Sequence, residues 1–130
     1  MRLPGQPGAQ RQFARVAGRT AGRVDGRQLP VLDVLGTADQ GRESVHPGNP
    51  AAQAGQVMTN VETLLAEAGA SVEHVVSCTV YLTDIRHREP VYRVLGRRLA
   101  GVYPVFTGLV VSALARPEWL VEVTVVAVRP

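Results

Sequence analysis

The sequence predicts an α+β domain in which two helices cover one face of a β-sheet, with elements in the order β-β-α-β-α-β-β. Three features predict it. Residues 50–68 carry apolar side chains at helical spacing, residues 75–84 are rich in β-branched residues, and residues 119–128 form a closing run built on Trp and Val.

Taken in order, Gln12 to Val16 read as a short first strand, and residues 17–28, with three glycines and three arginines, as a long exposed hairpin loop. Residues 29–35 form a second apolar run, broken by Asp33 and closed by Gly36. A polar connection over 39–50 ends in Pro47-Gly48-Asn49-Pro50. Asn49 suits an N-cap, and Pro50 suits the first helical position because its missing N–H would have no partner there. Val57, Met58, Val61, Leu64, Leu65 and Ala68 then recur every three or four residues as one buried stripe, and Gly69 stops the helix. In the strand at 75–84, Val76, Cys78, Val80 and Leu82 should share one face. Residues 87–99 give a second helix with Val91, Val94, Leu95 and Leu99 inward, provided Pro90 falls in its first turn. Two further strands, 104–114 and 119–128, flank the turn Ala115-Arg116-Pro117-Glu118.

The chain has 130 residues, enough for one core, so a flexible tail over 1–11 and a single domain over 12–130 are expected. Hydrophobic residues make up 45%, which excludes a disordered chain. No apolar run approaches a membrane span, and Met1-Arg2-Leu3-Pro4-Gly5 lacks the apolar stretch of a secretion signal, so a cytoplasmic location is expected. Cys78, the one cysteine, sits in an apolar run and reads as a core residue rather than a nucleophile. Net charge is +3 and all the basic residues are arginine, which excludes a lysine Schiff base or lysine general base. His46, His74 and His87 lack metal-ligand spacing, so no metal and no cofactor are expected. With helices on one face and residues 119–128 apolar on both sides apart from Glu122 and Thr124, the other sheet face needs a cover, and further copies of the chain supply the simplest one.

The middle of the chain resembles the RidA superfamily, also called YjgF or L-PSP endoribonuclease-like. The resemblance is carried by Gln53, by Asn60-Val61-Glu62-Thr63-Leu64-Leu65-Ala66-Glu67-Ala68-Gly69-Ala70-Ser71, by Val75-Val76, and by Thr79-Val80-Tyr81-Leu82-Thr83-Asp84. Leu35-Gly36-Thr37-Ala38 and Pro117-Glu118-Trp119-Leu120-Val121-Glu122-Val123 are similar to two further family segments. The resemblance implies a chorismate mutase-like fold assembled as a homotrimer, with a small-molecule pocket at each subunit cleft. It also implies chemistry on reactive enamines and imines, in which an arginine of a P-A-R motif grips the substrate carboxylate and a glutamate on the last strand places a water.

Glu122 matches that glutamate and is the candidate catalytic residue. The arginine is gone. The matching segment is Tyr103-Pro104-Val105-Phe106-Thr107, and a phenyl ring cannot bind a carboxylate, so a standard 2-imino acid deaminase is not expected. Phe13, Thr37, Ala38, Tyr92, Phe106 and Thr107 fall at the family's pocket positions. Arg116, in the turn just before the closing strand, is the nearest arginine in sequence able to reach a pocket and is a further substrate-binding candidate. Phe13, Tyr92 and Phe106 together imply an aromatic pocket suited to a cyclic or apolar intermediate. Two rival readings stand beside this one. One is a non-catalytic ligand-binding or regulatory trimer. The other is RNA binding through Arg11, Arg15, Arg19, Arg23 and Arg27, which the interleaved glycines and the lack of aromatic platforms disfavour.

Overall fold

A computed structural model of the chain describes residues 16–24, 27–35 and 44–128. The elements are β1 (Val16–Val24), β2 (Arg27–Leu35), α1 (Pro50–Glu67), β3 (Val75–Leu82), α2 (Arg88–Arg98), β4 (Val105–Val110) and β5 (Val121–Ala127). They make the expected α+β arrangement, a five-stranded sheet in the order β1-β2-β5-β3-β4 with both helices packed into its core. Only β3 and β4 run parallel, as the α2 crossover between them requires, and the remaining pairs are antiparallel.

The start of the chain corrects the sequence reading. Residues 17–24 and 27–28, expected within a loop, are strand: β1 and β2 pair from Val16↔Val34 to Val24↔Arg27. Glycine is a poor strand former, but the ladder from Arg19↔Leu32 to Val24↔Arg27 satisfies the backbone groups and overrides that local preference. The register shift between Val16 and Arg19 takes up the irregularity. Of the first strand expected at 12–16, only Val16 lies within the described residues, and the expected tail over 1–11 lies outside them.

α1 forms as its sequence dictates. The Asn49 side chain accepts the Ala52 N–H at 3.0 Å, Pro50 opens the first turn, and Gly69 leaves the helix at φ +76°, where a side chain would be strained. Its whole stripe from Val57 to Ala68 is buried, as are Val91, Val94, Leu95 and Leu99 of the α2 region. Pro90 does fall in the first turn of α2. Against these helices the sheet buries Cys78, Val80 and Leu82 of β3 and Val121, Val123, Val125 and Ala127 of β5. Each buried Val or Leu among them contributes roughly 1.5–3 kcal/mol of hydrophobic free energy.

Val76 does not join that face. A register shift between Val75 and Ser77 turns Val75 inward and leaves Val76 47% exposed. One unpaired residue moves the alternation by one, which period-two counting cannot anticipate. β3 also stops at Leu82, and Asp84 instead accepts the Arg86 N–H at 2.8 Å to start a short 3-10 turn. β4 and β5 are shorter than the strands expected at 104–114 and 119–128.

The sheet face away from the helices is polar at its centre, where Glu122 and Thr124 interrupt the apolar closing run. On β3 it presents Ser77, Thr79 and Tyr81, and on β5 it presents Glu122, Thr124 and Val126, all partly buried. Exposed apolar surface is concentrated instead on the edge strand β4, where Val105, Phe106, Leu109 and Val110 are all exposed. No helix among the described residues is long and apolar enough to cross a membrane.

Candidate functional site

The place where α2 crosses β4 is built around two aromatic rings and a glycine. Phe106 is aligned with buried Cys78 in the parallel β3/β4 register, so it faces the helix layer. Gly108, two residues on, faces the same way. A Cβ at Gly108 would collide with the Tyr92 hydroxyl, so only glycine lets the tyrosine lie across the strand. Tyr92 then meets Phe106 edge to face, with ring centroids 5.1 Å apart and an interplanar angle of 78°. The guanidinium of Arg88, one helical turn earlier, sits 4.7 Å from the Tyr92 centroid.

From this pair an open groove of about 460 Å³ runs along α2 to the segment leading into β4. Leu95, Gly96 and Leu99 line it on the helix side, and Tyr103 and Pro104 line the far end. Tyr103 is 90% exposed and has φ +52°, a left-handed conformation that costs a non-glycine residue about 1 kcal/mol. Tyr92 and Phe106, two of the expected pocket residues, are thus brought together here.

The other expected residues are not. Glu122 is partly buried on the opposite sheet face, opposite Tyr81 of β3 and Leu35 of β2 in the ladder. Thr107 shares that face, aligned with Thr79. Within one chain, therefore, Glu122 and Phe106 project from opposite sides of one sheet. Arg116 does not line the groove. It lies 3.8 Å from the Glu118 carboxylate and 5.7 Å from the Trp119 ring centroid. Phe13, Thr37 and Ala38 lie outside the described residues.

The segment before β5 is instead organised by a buried amide. Gln53, fully buried on α1, donates to the carbonyls of His46 (3.2 Å) and Glu118 (3.0 Å) and accepts the Leu120 N–H at 2.9 Å. Beside it the Ser44 hydroxyl donates to Glu118 Oε1 at 2.9 Å and accepts from the Trp119 indole at 3.2 Å. Glu118's own backbone N–H, the Ser44 hydroxyl and Arg116 hold the Glu118 carboxyl below its usual range. This polar cluster fixes the approach to β5 and carries no sign of chemistry.

Burial pushes the Cys78 thiol up to about 12, so it is a core residue and no nucleophile. His74 accepts the Ser71 N–H at 3.0 Å on Nδ1, and no three metal-ligating side chains converge among the described residues. Of the arginines at four-residue spacing, Arg19 and Arg23 lie in β1 and Arg27 in β2 rather than on a helix, and Arg11 and Arg15 lie outside the described residues. Sequence reasoning missed Arg88, Gly96, Tyr103 and Gly108. The Arg88–Tyr92 spacing on an expected helix was the available signal for the first.

These residues lie on a fold with known counterparts. The endoribonuclease L-PSP family profile matches residues 28–129. Protein DfrA of Myxococcus xanthus is 35% identical over 106 residues, covering 82% of this chain and 80% of that protein. Among solved structures, a YjgF-family protein of Mycobacterium tuberculosis aligns with a TM-score of 0.68 and 28% identity, covering 89% of this chain and 90% of the other. RidA of the Antarctic bacterium Psychrobacter aligns with a TM-score of 0.72 and 28% identity over 83% and 85% of the two chains. The match spans most of the sequence and nearly every element of the sheet: this chain belongs to the RidA/YjgF superfamily, the endoribonuclease L-PSP family.

Proposed function

We propose that this chain, with residues 12–130 as its single domain, assembles as a cytoplasmic homotrimer of the chorismate mutase-like kind. Each subunit interface then takes up a reactive metabolic intermediate, enamine- or imine-like or cyclic. The observation that carries this reading is the Tyr92–Phe106 pair. By the resemblance, Phe106 falls at the position of the deaminases' carboxylate-gripping arginine and Tyr92 at another pocket position, so the pair offers aromatic surface in exchange. A bulky apolar or ring-containing intermediate suits that surface better than a small 2-imino acid does.

Glu122 is the proposed catalytic base. Because it and Phe106 project from opposite faces of one sheet, a pocket containing both needs two subunits, which supports an interface site. In a hydrolysis, the Glu122 carboxylate accepts a proton from water as that water adds to the imine carbon, and the nitrogen leaves as the amine after protonation. Thr107, with Phe13, Thr37 and Ala38, lines the pocket in this scheme. Arg116 is left out of it, since the structure engages it with Glu118 and Trp119.

The test has two arms. Sedimentation velocity should give a trimer, and 2-iminobutyrate generated in situ should be turned over no faster than in buffer. Rapid 2-iminobutyrate hydrolysis would overturn the substrate reading. A non-catalytic ligand-binding trimer is the second reading, favoured by the same loss of the arginine. Once a converted intermediate is identified, Glu122→Gln abolishes turnover if the site is catalytic and shifts only ligand affinity if it is not.

A further inference from the structure

We infer that Arg88 supplies the anion-binding group of this groove, moved from the strand to the helix, and that the ligand is an acid with a planar apolar body between its carboxylate and its far end. This rests on the interface-pocket reading above and adds to it the position of the charge.

Three observations carry the inference. Arg88 lies against the Tyr92 ring at the Phe106 end of the groove, and it is exposed. The charged groups beside it on the chain are already engaged: Glu89 accepts from Arg93 at 3.0 Å, and Asp84 holds Arg86 in several short contacts. Arg88 appears in none of the ion pairs among the described residues. A guanidinium stacked on an aromatic face is held in orientation while its N–H groups still point outward, which is the state in which it binds a carboxylate best.

Gly96 is the second observation. It lies within α2, where glycine costs about 1 kcal/mol of helix stability relative to alanine. A Cβ there would meet nothing within 4 Å, so packing inside the protomer does not require glycine. Its effect is to deepen the groove two turns along the helix from Arg88. The third observation is Tyr103, an almost fully exposed aromatic held at φ +52° on the opposite end of the same groove. Strain and a missing side chain that serve no packing purpose in one protomer are explained by an occupant. Arg88 and Phe106 both rest against Tyr92, and Arg88 stands outside the groove's lining, so a small acid cannot use the charge and the apolar groove together.

The experiment uses the full chain and three stable probes, 3-phenylpropanoate, its uncharged amide and propanoate, followed by ligand-observed NMR and calorimetry. The native protein should bind 3-phenylpropanoate ~10-fold or more tighter than the amide, the usual gain from a charge-assisted contact, and should bind propanoate far more weakly. Arg88→Gln should erase the preference for the acid while keeping binding of the amide, and Arg88→Lys should restore part of it. Gly96→Leu should block both aromatic probes. Equal affinity for acid and amide in the native protein, or an unchanged preference in Arg88→Gln, overturns the assignment. So does a Gly96→Leu variant that loses its oligomeric state and not its ligand, since the groove would then be filled by a second copy. A trimer without acid preference sinks only the role of Arg88, whereas a monomer with that preference sinks only the interface reading.

Discussion

Gly108 is a position where one hydrogen replaced by a methyl group changes the site. Gly108→Ala drives a Cβ into the Tyr92 hydroxyl, so the ring must leave Phe106 or the helix must shift. We expect a loss of about 1–3 kcal/mol in urea denaturation and a displaced Tyr92 in the variant's structure. A smaller partner should relieve this: Tyr92→Phe in the Gly108→Ala background should recover much of the loss. Cys78 gives a prediction of a different kind. Its thiol stays protonated in the fold to about pH 12 but ionises near 9 once the chain unfolds. The folded state therefore binds the extra proton between those values, and stability falls as pH rises through that window. Denaturation midpoints at pH 8 and pH 10.5 should differ more for the native protein than for Cys78→Ala. Iodoacetamide at pH 8 should label the thiol only after denaturation.

At the scale of elements, the joint between α1 and the segment entering β5 depends on Gln53. Its amide makes three hydrogen bonds from a fully buried position, two of them to carbonyls on separate segments. Gln53→Leu keeps the volume but leaves the Leu120 N–H and two carbonyls without that partner. The expected cost is about 2–4 kcal/mol, read as a drop in the denaturation midpoint. Asn49→Ala removes a single cap and should cost only about 1 kcal/mol. The ion pair between Arg98 and Glu62, at 2.9 Å, ties α2 to α1 but is partly exposed on both sides, so its removal should cost under about 1 kcal/mol. That ranking separates a buried amide from a surface charge pair.

For the molecule as a whole, the question is what covers β4. Val105 is 70% exposed and Leu109 46%, on a strand with one neighbour in the sheet. An apolar edge strand in that state invites pairing or packing with another chain. Leu109→Glu should leave the folded core intact, because the side chain points away from it, yet shift sedimentation toward monomer. A native protein that is monomeric at micromolar concentration would remove the reason for placing any pocket between subunits.

Local chemistry decided much of this protein and could be read without coordinates. Asn49-Pro50 and Gly69 set the ends of α1, the stripe from Val57 to Ala68 set its buried face, and Val91 to Leu99 did the same for α2, since caps and helical periodicity act over a few residues. Glu122 and Phe106 were legible as departures from or matches to a family pattern, though not as neighbours. Only the tertiary structure decided the rest. It turned the glycine- and arginine-rich residues 17–24 and 27–28 into paired strands, slipped β3 by one residue at Val76, set Glu122 and Phe106 on opposite faces, and laid Tyr92 across Gly108. Each of these depends on which backbone meets which across the sheet. Most of these contacts join residues well separated in the chain, and local pattern alone does not set their register.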